Sequence, residues 1–344
     1  MVNSTGNCWG MLPEEIQMEI VGKLGFKGLA ALSEVNTLFK RLVNDEYFWK
    51  RRGQEIGLTG RDFENNPRSA IKKEVEKIKG QAIVAGIEKP SLNTPDEINH
   101  AKLQVLKKDY ERLQNSKTPH KTPPESIQKL LNDRATPENL AKLERWLLAR
   151  STVIVYEGLK RENNNLTDLD ARLLEGNKWE GIFNSYAEWS KRNQSELQNI
   201  TNLNLSCKMI LKLPPNIFDG LTSLNWIVLT HNRLSELPNL DKLKKLKGLN
   251  LIGNQLKELP NLDKLENLEL LNLDTNRLSV LPPGIFNKLT SLKSLNLSRN
   301  KLSVLPERIF DKLTSLEWLD LSDNKINKND PALQNLPDRI SVFV

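Results

Sequence analysis

Six times between residues 200 and 326 the chain returns to one frame, Leu-x-x-Leu-x-Leu-x-x-Asn-x-Leu, beginning at Ile200, Leu224, Leu246, Leu268, Leu292 and Leu316. The steps are 24, 22, 22, 24 and 24 residues. A unit this short cannot bury its own apolar face, so it must stack on a copy of itself. Within each unit the fourth and sixth positions are apolar: Leu203 and Leu205, Ile227 and Leu229, Leu249 and Leu251, Leu271 and Leu273, Leu295 and Leu297, Leu319 and Leu321. Alternation at period two is that of a short strand with one face inward. The ninth position is Asn232, Asn254, Asn276, Asn300 and Asn324 in the last five units and Lys208 in the first. An amide is costly to bury unless its donors and acceptor are matched, and stacked backbones supply those partners on both sides. Lys208 then marks an edge coil.

This pattern resembles the leucine-rich repeat and implies a solenoid with parallel strands on its concave face. The segments Leu213-Pro214-Pro215-Asn216-Ile217-Phe218, Leu281-Pro282-Pro283-Gly284-Ile285-Phe286 and Leu305-Pro306-Glu307-Arg308-Ile309-Phe310 return the chain along the convex side, and Leu237-Pro238-Asn239-Leu240 and Leu259-Pro260-Asn261-Leu262 do so in shorter form. Ile340, Val342 and Val344 read as a closing strand over the last coil. The third, fifth and seventh positions face outward and give the expected target-binding face. Its residues are Trp226, Val228, Thr230, Asn250, Ile252, Leu270, Asn272, Asp274, Asn296, Ser298, Trp318 and Asp320. Two outward tryptophans with Ile252 and Leu270 between them have the character of interface anchors. The asparagines of the fifth position are weaker evidence, since such repeats often carry them.

A different pattern occupies residues 12–52. Leu12-Pro13-Glu14-Glu15-Ile16 opens a helix: proline suits the first turn, acids favour it, and Ile16, Ile20 and Leu24 continue an apolar face up to Gly25. Leu29, Leu32 and Val35, then Leu38, Phe39 and Leu42, and finally Phe48-Trp49 form two more short faces. Three helices of this size make too little core to stand alone. With Leu-Pro at its start, Val35-Asn36 and Phe39 in its third helix and Trp49-Lys50 at its end, the segment resembles an F-box. The resemblance implies docking on a Skp-type adaptor of a cullin ubiquitin ligase. By position, Leu12, Pro13, Ile16, Ile20, Leu29, Leu32, Val35, Phe39, Leu42 and Trp49 would form the adaptor contact and its supporting core. Gly28 departs from the acidic residue common there. The order of the two motifs resembles substrate-recruiting subunits of such ligases, and also bacterial effectors that mimic them.

Between the motifs, Thr94-Pro95-Asp96-Glu97, Thr122-Pro123-Pro124-Glu125 and Thr136-Pro137-Glu138 are helix starts, each a hydroxyl followed by proline and early acids. Leu103, Leu106, Tyr110 and Leu113 recur at helical spacing, which predicts long helices over 95–115 and 136–160. The aromatic run Trp179, Phe183, Tyr186 and Trp189 reads as a helix that caps the first coil.

The fold class that follows is α+β and multidomain. An F-box-like helical domain covers 1–58, a helical linker and solenoid cap 59–198, and six leucine-rich repeats with a C-terminal cap 199–344. The helical linker is read as a spacer.

The net charge of +7 is concentrated in residues 51–150, where 20 Lys and Arg face 14 Asp and Glu, a difference of +6. There lysines alternate with glutamates, as in Lys72-Lys73-Glu74-Val75-Glu76-Lys77, the habit of solvated helix faces and not of a nucleic-acid or membrane footprint. No apolar run reaches the roughly 18 residues needed to span a bilayer, and the first residues carry no basic and apolar signal pattern. Two cysteines, Cys8 and Cys207, suit a reducing compartment, so the expected location is the cytosol, or a host's cytosol for an effector.

The three histidines, His100, His120 and His231, are far apart, and no phosphate loop, serine elbow or paired metal-ligand spacing occurs. Neither catalysis, metal nor cofactor is expected. The expected function is a non-enzymatic adaptor that docks on a Skp-type protein and recruits an unidentified target for ubiquitination. The alternative is a leucine-rich-repeat scaffold or inhibitor whose N-terminal helices only cap it.

Overall fold

The computed structural model describes residues 46–59, 61–87, 90, 92, 94–169, 178–334 and 336–344. The helices expected over residues 12–42 lie outside the described residues. The chain divides into two compact units, one of residues 1–112 with 125–144, the other of residues 113–124 with 145–344.

The first unit contains α1 (Glu46–Glu55), α2 (Arg61–Asn65), α3 (Pro67–Ala85), most of α4 (Pro95–Gln114), α5 (Glu125–Leu131) and the start of α6 (Pro137–Glu162). Asn66 caps α3 by accepting from Ser69 N at 3.2 Å, and Gly86, at φ +78°, ends it in the left-handed turn that glycine enters without strain. At α4 the threonine start is a reciprocal box. Thr94 Oγ1 accepts from Glu97 N at 3.3 Å while Thr94 N donates to Glu97 Oε2 at 3.2 Å. Thr136 caps α6 by accepting from Asn139 N at 3.2 Å. The α4 stripe predicted from spacing, Leu103, Leu106, Tyr110 and Leu113, is buried throughout. Polar ties complete the unit. Asn99 Nδ2 donates to Glu55 O at 2.8 Å, Lys102 Nζ to Ile56 O at 2.7 Å, and Tyr110 OH to Leu143 O at 2.9 Å.

The second unit is the solenoid. Its seven strands, β1 (Asn202–Asn204), β2 (Trp226–Val228), β3 (Gly248–Asn250), β4 (Leu270–Asn272), β5 (Ser294–Asn296), β6 (Trp318–Asp320) and β7 (Ser341–Phe343), lie in chain order in one parallel sheet. Register is uniform: Leu203, Ile227, Leu249, Leu271, Leu295, Leu319 and Val342 occupy one row. The leucines expected inside from alternation are all buried in a single continuous core. On the return side Phe218, Phe286 and Phe310 are buried, and the last two stack with centroids 6.4 Å apart. The two shorter repeats place Leu240 and Leu262 in the same core. The closing strand is present. Ile340, immediately before it, is buried, but Val342 within it keeps 37% of its surface exposed, so the last core layer is only half covered.

The ninth-position amides behave as burial requires. Asn276 Nδ2 donates to Leu251 O at 2.9 Å and Leu273 O at 3.0 Å, and its Oδ1 accepts from Leu256 N at 3.1 Å. Asn232, Asn254, Asn300 and Asn324 repeat this scheme. Each side chain therefore joins its own coil to the one before.

The cap of the first coil differs in part from the sequence expectation. The aromatic run forms a 3-10 turn (Trp179–Gly181) and α7 (Ile182–Arg192), followed by α8 (Gln194–Leu197), and Trp189 lies in the solenoid core. Trp189 Nε1 donates to Thr167 O at 2.8 Å, and Tyr186 OH donates to Ile217 O at 3.2 Å. Burial raises the Tyr186 hydroxyl pKa far above its usual value. Yet the end of the coil stack is also covered by α6, whose Ile154, Val155, Tyr156 and Leu159 join that core. Gly158 makes the approach possible, because a Cβ there would lie 2.7 Å from Leu205 Cδ2 and 3.2 Å from Leu203 Cδ1. From the same helix Arg150, fully buried, donates to the carbonyls of Pro119, His120, Lys208 and Met209 and to Thr118 Oγ1. One guanidinium, five donors in a planar fork, thus ties the 113–124 segment to the first turn of the solenoid. Cys207 sits exposed in the turn that follows β1, at φ 57°.

Candidate protein-binding face

Strand alternation turns the third, fifth and seventh positions of each coil to the outer side of the sheet. The third-position row runs Asn202, Trp226, Gly248, Leu270, Ser294, Trp318 and Ser341 across the seven strands. Trp226 is 40% exposed and lies flat over Gly248, where a Cβ would come within 1.9 Å of its ring. Trp318 likewise leans onto the following strand and meets Phe343 of β7, centroids 6.0 Å apart. Phe343 is itself 50% exposed. Both tryptophans therefore rest on a neighbouring coil and still present ring surface. Leu270 stands half-buried between them, and Ile252 is half-buried in the seventh-position row.

The fifth-position side chains have a local task. Asn204, Asn250, Asn272, Asn296 and Asp320 each accept, through Oδ1, from the backbone N–H two residues on, at 2.8–3.2 Å. This closes the strand into the following turn. Val228 is the exception in the column.

The seventh position is mixed. Thr230 donates to Ser206 Oγ at 2.9 Å, while Asp274 and Ser298 are buried. Asp274 accepts from Arg299 Nε at 2.7 Å, Thr275 Oγ1 at 2.9 Å and Ser298 Oγ at 3.0 Å. Burial alone would raise its carboxyl, but these bonds and the Arg299 charge outweigh it and hold the group below the usual carboxylate range. These two expected contact residues are thus part of the face's own framework. The eighth position closes every turn in the left-handed region: Cys207, His231, Gly253, Thr275, Arg299 and Asp323 all have positive φ.

Reading single positions outward missed two features. At the residue before each strand, Lys247, Glu269 and Lys293 form a cross-strand ladder, with Glu269 Oε1 at 3.3 Å from Lys247 Nζ and Oε2 at 2.8 Å from Lys293 Nζ. The hydrogen bonds from Lys293 and Lys247 hold the Glu269 carboxyl low. The alternation of sign along this row is visible in the sequence once the register is known. Phe343 extends the aromatic surface of Trp318, and its signal was the apolar terminus already assigned to the closing strand.

Of the expected adaptor-contact residues, Leu12, Pro13, Ile16, Ile20, Leu29, Leu32, Val35, Phe39 and Leu42 lie outside the described residues. Trp49 is described on α1, buried at 8% exposure beneath the Arg68 guanidinium, which sits 5.4 Å from the ring centroid. It props the helices of the first unit. Among the described residues no three His, Cys, Asp or Glu side chains gather as a metal site would need, and no helix is long and apolar enough to cross a membrane.

The coil geometry and the N-terminal pattern both have counterparts among known families. A family model described as leucine rich repeat matches residues 198–256 and 266–326, and one described as F-box-like matches residues 9–55. The chain thus carries an F-box-like segment followed by leucine-rich repeats. Among solved structures, a leucine-rich-repeat protein of Leptospira interrogans is 32% identical over 43% of this chain and 38% of its own, with a TM-score of 0.41. TLR13, solved as a complex with ssRNA13, is 34% identical over 44% of this chain and 22% of its own, at a TM-score of 0.40. A TDR receptor is 23% identical over 40% and 25% of the two chains, at 0.36. The aligned part is thus well under half the length of each of these proteins, 38% at most. No curated protein matches significantly. Leucine-rich-repeat and F-box-like domains are typically interaction modules.

Proposed function

We propose that this protein recruits a target for ubiquitination. The F-box-like segment docks on a Skp-type adaptor, the outer face of the leucine-rich-repeat sheet holds the target, and neither step needs chemistry from the chain itself. The observation that carries the reading is the F-box-like match at residues 9–55 ahead of leucine-rich coils. Catalysis by such a subunit is proximity, since bringing two reactants together supplies much of a bimolecular barrier while the transfer chemistry belongs to the ligase. The face supports the second half of the proposal. Trp226, Leu270, Trp318 and Phe343 place aromatic and aliphatic surface among polar neighbours, which is how the core of a protein interface is composed. Such a complex would work where Skp adaptors do, in the cytosol.

The test is co-purification of the full chain with a purified Skp-type adaptor, for wild type and for Leu12→Ala/Pro13→Ala. Wild-type association lost in the double variant supports the ligase reading. If the wild type does not associate, that reading is withdrawn, and the repeats remain a binding surface without it.

A further inference from the structure

The fifth-position column has two ends, and only one of them is occupied. In Asn250, Asn272 and Asn296 the Oδ1 atom accepts from the N–H of Ile252, Asp274 and Ser298 at 3.2, 3.1 and 2.8 Å. This fixes which way each amide points, so Nδ2 must face outward. Among the described residues nothing accepts from these three Nδ2 groups. The turn itself does not demand an amide, because Asp320 closes its own turn by accepting from Ser322 N at 2.9 Å. What asparagine adds over aspartate in coils three to five is a donor. Adjacent strands in register place these donors about 4.8 Å apart in a line across the sheet. Trp226 flanks the line at β2, Trp318 flanks it at β6, and Leu270 lies beside its middle.

The spacing selects the shape of the partner. A helix rising about 1.5 Å per residue presents side chains at i, i+3 or i+4, and i+7 at roughly 0, 5–6 and 10.5 Å, against about 0, 4.8 and 9.6 Å for three strands. An extended chain laid across the strands presents same-face side chains about 6.6 and 13 Å apart, which falls out of step by the third coil. The donors choose the chemistry. Along the row before the strands Lys247 and Lys293 alternate with Glu269 and Glu317, and Arg299 on the other side is matched with Asp274, so the flanking charges balance and the three outward amides are the groups a partner must satisfy with acceptors.

We propose that the outer face of the sheet binds an amphipathic α-helix of its target. The helix would lie across the strands, with carboxylate or amide side chains at i, i+3 or i+4, and i+7 on Asn250, Asn272 and Asn296, and apolar side chains on Trp226, Leu270 and Trp318. This inference rests on the reading of that face as the target site and names the class of target.

Asn→Asp substitution isolates the donors, since the oxygen that closes the turn is kept and the outward amide becomes an anion. The full chain is panned against two displayed libraries of equal size, one randomised on a single-helix scaffold and one with proline at every fourth position, which forbids helix. The expected result is binders from the helical library with acidic or amide residues at three-to-four and seven spacing. Asn250→Asp or Asn272→Asp should weaken them tenfold or more with the melting temperature unchanged, and Trp226→Ala should weaken them likewise. Helical binders indifferent to the Asn→Asp changes overturn the proposal. Binders that depend on Trp226 but come only from the proline library overturn the helix and leave the face as a protein site. Absence of any binder dependent on Trp226 or Trp318 removes both.

Discussion

Replacing Asn276 by alanine tests the physical basis of the coil stack. The residue is 7% exposed, and its Oδ1 is the acceptor for Leu256 N at 3.1 Å. Its Nδ2 serves Leu251 O and Leu273 O. The two carbonyls are not orphaned by the change, because Asn254 Nδ2 still donates to Leu251 O at 3.0 Å and Asn300 Nδ2 to Leu273 O at 2.9 Å. The N–H of Leu256 is left with nothing, at about 1–3 kcal/mol for a buried unsatisfied donor. Losing the second bond at each carbonyl adds roughly 0.5 kcal/mol apiece. The sum is about 3 kcal/mol. For a folding unit of this size that lowers the melting point by roughly 6–12 °C, at about 2–4 °C per kcal/mol. Thermal unfolding by circular dichroism, with urea titration for the free energy, measures it. Asn272→Ala is the matched control, because it loses a single half-exposed turn bond to Asp274 N. If Asn276→Ala costs no more than Asn272→Ala, the buried amides are not what joins the coils, and leucine packing alone carries the stack.

Two further outcomes follow from the cap and from the acid held in the sheet. Gly158→Val drives a Cβ to 2.7 Å from Leu205 Cδ2; it should cost about 1–3 kcal/mol as overpacking does. Hydrogen exchange should show the loss first at Leu203 and Leu205, and an unchanged protection pattern there would contradict the packing of α6 on the first coil. Asp274, held low despite burial, contributes stability that is fully present above the ordinary carboxyl value of about 3.9 and disappears as pH falls through its lower folded value. Asp274→Asn should therefore be less stable at neutral pH and show a flatter acid limb below about pH 4 in pH-dependent urea unfolding. A variant with the wild-type acid limb would show that the Arg299 contact does not set it.

The repeats could be read from the sequence because their information is local. Period-two alternation places Leu249 and Leu251 inside without reference to anything distant, and the ninth-position asparagines announce themselves by type and phase. The helix starts at Thr94 and Thr136 were legible for the same reason, since a cap acts within three residues. The binding face was legible as a set of outward positions, but not as a surface. Nothing in the sequence distinguishes Thr230, which bonds Ser206, from Asp274 and Ser298, which the framework buries. The fifth-position asparagines looked like filler, and their hydrogen bonds show one end closing the turn and the other facing out.

Taken alone, the order of residues determined that this chain stacks coils, which side chains of each strand turn inward, and that an F-box-like segment precedes them. Those properties depend on patterns a few residues long. Only the tertiary structure decided that Trp226 covers Gly248, that Trp318 meets Phe343, that Gly158 admits α6 to the first coil, and that Arg150 gathers the backbone of Lys208 and Met209. Each of these joins residues a full repeat or more apart, where the choice of neighbour is made by packing density and by the demand of buried polar groups for partners.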